Sequence, residues 1–514
     1  MYIATHARTQ PDRPAIVMVE SGIVVTFAEL DRDSTRLARA WRAAGLVPGD
    51  RVAILTENRP EFFTAAWAAQ RSGLYYVPIN WHLTAAEMEH IVRDSGSRAL
   101  FASAPFTELA AHLAAGDAIR SAVSVGGEIP GFDPLDAVLA AQSDAPLDDE
   151  LEGSEMVYSS GTSGQPKGGR RPLPGVHPDT VDPGRYKMVQ LLGLDEPQVT
   201  FLTPGAPLYH AAPLRYTMRV SRLGGTNVVM ERFDPEAGLR AIEAHRITHS
   251  QWVPTMFIRM LRLDDGVRAA YDLSSQRSAF HAAAPCPRAI KAQMLDWWGP
   301  IIHEYYGGSE GGIVTYISPH EWLAHPGSVG RPVVGKLHIV GDDGREAAPG
   351  EPGLVCAEDG APIDYLNDPA KTAAAHDERG WATVGDIGYV DDEGYLFLTD
   401  RRDHMIISGG VNIYPQEVED VLVGHPAVAD VAVLGVPHDE LGEEVKAVVQ
   451  LTDAHGPSDE LAAALIELCR SSLAGFKCPR SVDFVEELPR APSGKLYKRR
   501  LREEYWKGHA SLIG

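Results

Sequence analysis

The sequence predicts an α/β protein: a large N-terminal region of two wound α/β subdomains, a run of short strands, and a compact α+β segment at the end. Three observations carry this. Apolar strand-like runs alternate with helical patterns as far as Tyr306, the signature of parallel sheets covered by helices. Between about 327 and 399 the texture changes to short strands broken by Gly, Pro and Asp, which reads as a small antiparallel barrel or sheet. The length, 514 residues, exceeds what one hydrophobic core normally organises, so two or more domains are expected.

Taken in order, residues 15–19 and 23–25 read as a hairpin, after which Thr26 caps a helix through Ala44 with Gly45 as its stop. A strand at 51–55, a helix from Arg59 to Ser72, a strand at 75–79 and a helix from Thr84 to Asp94 follow, and 99–101 and 121–125 continue the alternation. The acidic, loop-like stretch 127–153 leads to a strand end at Met156-Val157-Tyr158. A second cycle holds strands at 199–202, 227–230, 278–282 and 301–306, with helices after Ala211, Pro235 and Pro254 and across Trp297-Trp298.

Composition narrows the class. Hydrophobic residues are 44% and charged residues 23%, as in a globular protein. A net charge of −23 leaves no electrostatic footprint for nucleic acid or an anionic membrane. Cys286, Cys356, Cys469 and Cys478 show no Cys-x-x-Cys spacing, so a reducing cytoplasm fits better than a disulfide framework or zinc site. Neither a signal-peptide core nor an apolar run of the ~18 residues a membrane helix needs is seen.

The chemistry concentrates in five stretches. From Ser159 to Gly168, Ser159-Ser160-Gly161-Thr162-Ser163-Gly164-Gln165-Pro166-Lys167-Gly168 combines four hydroxyls, three glycines and a lysine. Glycines admit a close backbone, hydroxyls donate hydrogen bonds and Lys167 adds charge, a set that suits a phosphate. The spacing is not the Walker pattern, and composition alone fits a Gly/Ser linker equally well. Tyr305-Tyr306-Gly307-Gly308-Ser309-Glu310 breaks a strand into glycines around one hydroxyl and one carboxylate. Asp386 follows a tight turn, a placement from which a carboxylate can accept from a ribose diol. The run 400–415 joins a charged crossover to the Gly409-Gly410 turn, and Lys495 sits on a turn near the end.

In this order the five stretches closely resemble the adenylate-forming superfamily of acyl-CoA synthetases, carrier-protein adenylation domains and firefly-type luciferases, over nearly the whole chain. The resemblance implies an N-terminal AMP-binding region over 1–402, its β-barrel at about 327–399, and a mobile C-terminal domain over 403–514 hinged at Asp403. It implies attack of a carboxylic acid on ATP with magnesium present, giving acyl-AMP, and then displacement of AMP by the thiol of CoA. It assigns the phosphates to Ser159, Ser160, Gly161, Thr162, Ser163, Gly164 and Lys167, and the α-phosphate to Ser309. Glu310 would carry the magnesium. Ala283, Ala284, Pro285, Tyr306 and Gly307 would line the adenine, and Asp386 and Arg401 would hold the ribose. Lys495 would reach the reacting phosphate, and Ser408, Gly409 and Gly410 would meet the pantetheine tunnel.

Three departures stand out. Ser163 and Ser309 stand where many relatives carry Thr, and Val384 replaces a usual Thr before Gly385. Arg170-Arg171 follows the phosphate stretch, where binding a phosphate and facing water are equally weighted. Gly308 stands where relatives place a larger side chain, which implies open space for the acid's tail. With His210, Trp252, Met256, Phe257 and His281 as its surroundings, the expected substrate is a bulky or extended apolar acid, medium- or long-chain or ring-bearing. His210 and His281 also read as ordinary core histidines, and no buried cation for a second substrate charge is evident. The alternative acceptor is a separate carrier protein, and a homodimer is one open option for assembly.

Overall fold

The computed structural model describes residues 1–159, 166–181, 187–401, 404–409, 411–438, 440–490 and 496–507, without the side chains of Ser159, Asp400 and Arg401. Local signals set the first helices as expected. Thr26 and Thr84 each close a capping box with the glutamate three residues on, starting helices Phe27–Ala43 and Ala85–Ser95. Strand Arg51–Leu55 forms the middle of a six-stranded sheet with Ala99–Ser103 and Tyr75–Pro78 beside it, Ser121–Val125 and Asp133–Pro134 beyond the former and Ser154–Glu155 beyond the latter. Every pairing in it is parallel.

A second sheet has nine strands, in the order 331–334, 314–317, 302–307, 278–281, 249–252, 200–203, 226–229, 14–18, 24–26. The N-terminal hairpin therefore belongs here and not to the first sheet, with Ile16 parallel to Asn227. Helix Pro60–Gln70 explains the rearrangement. It is buried nearly all round, and its side chains share one core with Ile16 and Met18, with Val52 and Ile54 of the first sheet, and with Val229 of the second.

Arg71, just past that helix, is 2% exposed and spends its donors on charged and polar partners. Its Nε donates to Glu150 Oε1 at 2.7 Å, its Nη2 to Asp31 Oδ1 at 2.9 Å, and its Nη1 to the Asp31 carbonyl, Ser34 and Thr35. Tyr2 donates to the same Glu150. The arrangement fixes residue 150, the start of the approach to the phosphate stretch, against the helix layer.

The changed texture after 327 is a four-stranded antiparallel sheet, Lys336–Val340, Gly353–Glu358, Asp386–Val390 and Leu396–Arg401. A last sheet pairs Val428–His438 with Gly442–Leu451, adds the hairpin 406–408/411–413 at one edge, and takes Ser481–Val485 parallel to 442–451. Helices Pro415–Leu422 and Asp459–Ser472 cover it around a separate core. All four cysteines are unpaired. Among the described residues no helix is long and apolar enough to cross a membrane.

Removing Arg71 strands the buried Glu150 carboxylate, a change that typically costs about 3–5 kcal/mol. Arg71→Met should lower the urea midpoint accordingly; a midpoint within experimental error of the parent would show that the network is not holding the helix layer.

Candidate active site

The two wound sheets, the four-stranded sheet and helix Pro415–Leu422 converge on a cleft of about 1330 Å³. Parallel strands present their C-terminal ends to it, the usual place for ligands in open α/β sheets. Strand Ser278–His281 leads to Ala283, whose φ of +76° is a left-handed conformation that a non-glycine residue rarely adopts. Ala283, Ala284 and Pro285 line the cleft. Strand Ile302–Gly307 brings Tyr306, Gly307, Gly308, Ser309 and Glu310 to the same cleft. Tyr306 donates its hydroxyl to Asp386 Oδ2 at 2.6 Å. Asp386 starts the third strand of the four-stranded sheet, in register with Arg401. Thus the residues expected at adenine and ribose meet through one hydrogen bond across two sheets. Val384 lines the cleft, and Thr383 beside it supplies a hydroxyl that accepts from the Gly385 N–H at 3.0 Å.

The phosphate stretch is described in part. Tyr158–Ser159 pairs with Lys167–Gly168, while residues 160–165 lie outside the described residues. Gly168 has no room for a side chain, since a Cβ there would fall 2.8 Å from the Tyr158 ring. That ring is fixed by its hydroxyl, which donates to Asp94 at 2.7 Å. On the other side, the strand zips to the four-stranded sheet's 364–368 loop: Leu366 N–H to Gly168 O at 2.9 Å and Arg170 N–H to Asp364 O at 3.0 Å. Lys167 Nζ donates to Asp368 Oδ2 at 2.7 Å. The other oxygen of Asp368 caps helix Pro369–Ala374 by accepting from the Lys371 N–H at 2.9 Å. One carboxylate thus sets two lysines at one turn. The Lys371 ammonium lies 4.4 Å over the Tyr365 ring, and burial, with Lys167 beside it, depresses its pKa.

The two unusual arginines divide. Arg170 forks onto Asp364 Oδ2 at 3.1 and 3.0 Å on the surface. Arg171 lines the cleft 3.6 Å from Glu155. Glu155 also receives Arg215 Nε at 2.8 Å, and Arg215 Nη2 reaches the Ser309 carbonyl at 3.1 Å. Burial alone would raise the Glu155 carboxyl, but Arg215 and Arg171 outweigh it and hold it at about 2. Arg215, Glu155, Asp368 and Lys371 were not legible as site residues, because each sits in an ordinary helix, strand or cap sequence and acquires its role through a partner distant in the chain.

The acid-tail expectations need correction at four positions. Met256 and Phe257 pack into the core below the helix they sit on, leaving Thr255 and Ile258 to face the cleft with Trp252 and His210. His281 is fully buried; neither ring nitrogen makes a hydrogen bond, and burial keeps its pKa well below the usual value, so it is a neutral core residue. A Cβ on Gly308 would meet the Gly311 carbonyl at 2.8 Å and Val384 at 3.0 Å. The glycine lets the turn close on itself and does not empty a tail pocket. A buried cation does exist: Lys291 is wholly buried, but its charge is spent on Glu304 at 2.5 Å.

Asp403 and Lys495 lie outside the described residues. The residues on either side of the stretch 491–495 are described. Arg490 bridges to Leu496 and donates to Asp430 Oδ1 at 2.7 Å, and Leu496 and Tyr497 line the cleft. Ser408 pairs with Val411, neither Ser408 nor Gly409 is among the residues that line the cleft, and Gly410 is outside the described residues.

Comparison with known proteins agrees with this architecture. Residues 3–360 match the AMP-binding enzyme family and residues 417–495 match the AMP-binding enzyme C-terminal domain. The chain belongs to the AMP-binding enzyme family. It is 36% identical over 507 residues to a feruloyl-CoA synthase of Amycolatopsis sp, covering 97% of each chain. It is 32% identical over 533 residues to the fatty acid–acyl-carrier-protein ligase ScoC of Streptomyces coeruleorubidus, covering 99% of this chain and 96% of that one. The anthranilate CoA ligase AuaEII, solved with anthranoyl-AMP, superposes with a TM-score of 0.83 at 26% identity, over 98% of this chain and 96% of that one. Within the family this chain is of the AMP-forming acid–thiol ligase type.

Because the Arg170–Asp364 pair is solvent-exposed, Arg170→Ala should change stability by less than about 1 kcal/mol and leave the ATP Michaelis constant unaltered. A rise of tenfold or more in that constant would mean that Arg170 leaves Asp364 to grip the nucleotide.

Proposed function

We propose that this enzyme joins a bulky or extended carboxylic acid with a largely apolar body to CoA, in two steps at the cleft. The observation that carries the reading is the meeting in one cleft of Tyr306–Asp386 and Ser309-Glu310 with Lys371, from the nine-stranded sheet and the four-stranded region. In the first step the acid's carboxylate attacks the α-phosphorus of ATP and pyrophosphate leaves. In the second the CoA thiol attacks the acyl carbonyl and AMP leaves.

The residues fit the charges involved. Tyr306 offers a face for the purine, and Asp386 accepts from ribose hydroxyls while its other contact is the Tyr306 hydroxyl. Lys167 and Lys371 flank the pyrophosphate end. Glu310 makes no hydrogen bond or ion pair among the described residues and lines the cleft. A lone carboxylate with room for water and phosphate oxygens is the donor set that suits Mg2+, and no cluster of three His, Cys, Asp or Glu competes for it among the described residues. When bound there, the ion would offset the charge between nucleotide phosphates. Lys495, next in the chain to the cleft-lining Leu496, would neutralise charge at the α-phosphate. Ser408 and Gly409 do not line the cleft, so the thiol step asks the segment after the Asp403 hinge to rotate. Trp252, Val253, Ile258, Ala282 and Val314 supply apolar lining for the acid.

The test offers ATP, magnesium, CoA and a panel of carboxylic acids and follows AMP and thioester release. Acid-dependent AMP with CoA thioester is expected. AMP released only when a carrier protein replaces CoA would move the acceptor to that carrier, and no acid-dependent AMP would refute adenylation. Lys495→Ala should cut acyl-AMP formation by about a hundredfold or more with ATP binding retained; turnover like the parent would refute its role. Lys371→Ala should raise the Michaelis constants for both ATP and pyrophosphate several-fold while leaving thioester formation from supplied acyl-AMP intact. A loss confined to that second step would place Lys371 elsewhere.

A further inference from the structure

Among the described residues, one side chain makes the hydrogen bonds that join the chain before 402 to the chain after 403. Arg262 follows helix Pro254–Leu261 as its C-cap, and Met256, Phe257 and Met260 anchor that helix in the core of the nine-stranded sheet. Arg262 Nη2 donates to two consecutive carbonyls of strand Val428–His438, Val428 O at 2.9 Å and Ala429 O at 2.8 Å. The contact strips part of the water from the guanidinium, which lowers its pKa, and Asp430 acts in the opposite direction.

The strand is shaped for this contact. Val428 is in register with Leu451 and Asp430 with Gln450, so Ala429 is the extra residue of a β-bulge. Neighbouring carbonyls of a regular strand point to opposite sides and do not share one donor group, whereas a bulge bends the strand and frees its extra residue from the ladder. Here the two hydrogens of one guanidinium nitrogen serve one carbonyl each. The next residue carries the contact onward. Asp430 takes Arg490 on both oxygens, Nη2 at 2.7 Å from Oδ1 and Nε at 2.5 Å from Oδ2, and the Arg490 backbone bridges to Leu496. Asp430, Arg490, Leu496 and Tyr497 all line the cleft. The hold of Arg262 on the bulge therefore passes through two side chains to the part of the cleft wall on either side of Lys495.

Resting on the acid–thiol ligase reading, we propose that Arg262 is a positioning residue for acyl-AMP formation. It latches the bulge at Ala429, and through Asp430 and Arg490 it holds the cleft wall flanking Lys495 in the orientation that serves the first step. The type of bond suits a contact that opens for the second. Buried ion pairs of the scaffold, such as Arg71 with Glu150, are costly to part. Arg262 instead meets neutral carbonyls at a partly exposed site, where water replaces each hydrogen bond that is lost. Without the latch both orientations stay reachable, and a smaller share of molecules is poised for the first step.

The experiment separates the two half-reactions with octanoic, dodecanoic and 3-phenylpropenoic acids. Acid-dependent ATP–pyrophosphate exchange reads acyl-AMP formation, and CoA thioester made from the supplied acyl-AMP reads the second step. Arg262→Ala should lower the first rate relative to the second by roughly three- to thirtyfold, with the second at or above the parent rate. Arg262→Met, which keeps an apolar stem without the donors, should do the same. A ratio within threefold of the parent overturns the latch, and so does an equal fall in both steps, the mark of a merely structural residue. Parent-like behaviour of Arg262→Met alone assigns the effect to packing and likewise overturns it. In each of these cases an active parent leaves the ligase reading standing. Absence of acid-dependent exchange and AMP release from the parent with every acid offered overturns the ligase reading and the latch together.

Discussion

The segment from Lys167 to Arg170 is the seam on which the site depends. On one side it pairs with Tyr158–Ser159, which leads in from the six-stranded sheet; on the other it is zipped to residues 364–368 of the four-stranded region. Four residues therefore fix the distance between two parts of the chain some two hundred positions apart. The backbone bonds carry the seam, since the exposed Arg170–Asp364 pair adds little by itself. Gly168 is the point that cannot change, because only a bare Cα passes the Tyr158 ring, whose hydroxyl is committed to Asp94. A polyanion held by this seam is held by two sheets at once.

The same seam brings two lysines together around one carboxylate. Asp368 takes Lys167 on one oxygen and the Lys371 backbone on the other. Adjacent ammonium groups repel, and the depressed pKa of Lys371 records burial first and Lys167 second. One carboxylate offsets one of the two charges. Glu310 acts on Lys371 in the same direction as Asp368, so the lysine pair is set among carboxylates.

The sequence was most legible where the signal is local. Thr26 and Thr84 start their helices through capping boxes, and the strand–helix alternation yields one wholly parallel sheet and a second that is parallel through its centre and antiparallel at its edges. What it concealed is contact between distant segments. The hairpin at 14–26 crosses to the second sheet because its apolar face shares a core with helix Pro60–Gln70 and strand Thr226–Val229, and nothing within those residues announces that partner. Tyr306 and Asp386 were each recognisable by motif, yet the hydrogen bond between them is a fact of three dimensions. Met256 and Phe257 followed the rule that a helix near a pocket lines it, and failed because the helix turns Thr255 and Ile258 to the cleft instead. Gly308 failed differently: an absent side chain was read as space, and the surrounding backbone had already filled it.

The buried charges of the scaffold are paired. Arg71, Arg222 and Lys291 are buried charges, and each meets a carboxylate and often further acceptors. Such pairs gain little net stability over apolar packing, but once present neither partner can be removed cheaply; they specify how layers fit. His281 is the neutral counterpart, a ring whose burial keeps it uncharged beside Lys291 and Glu304.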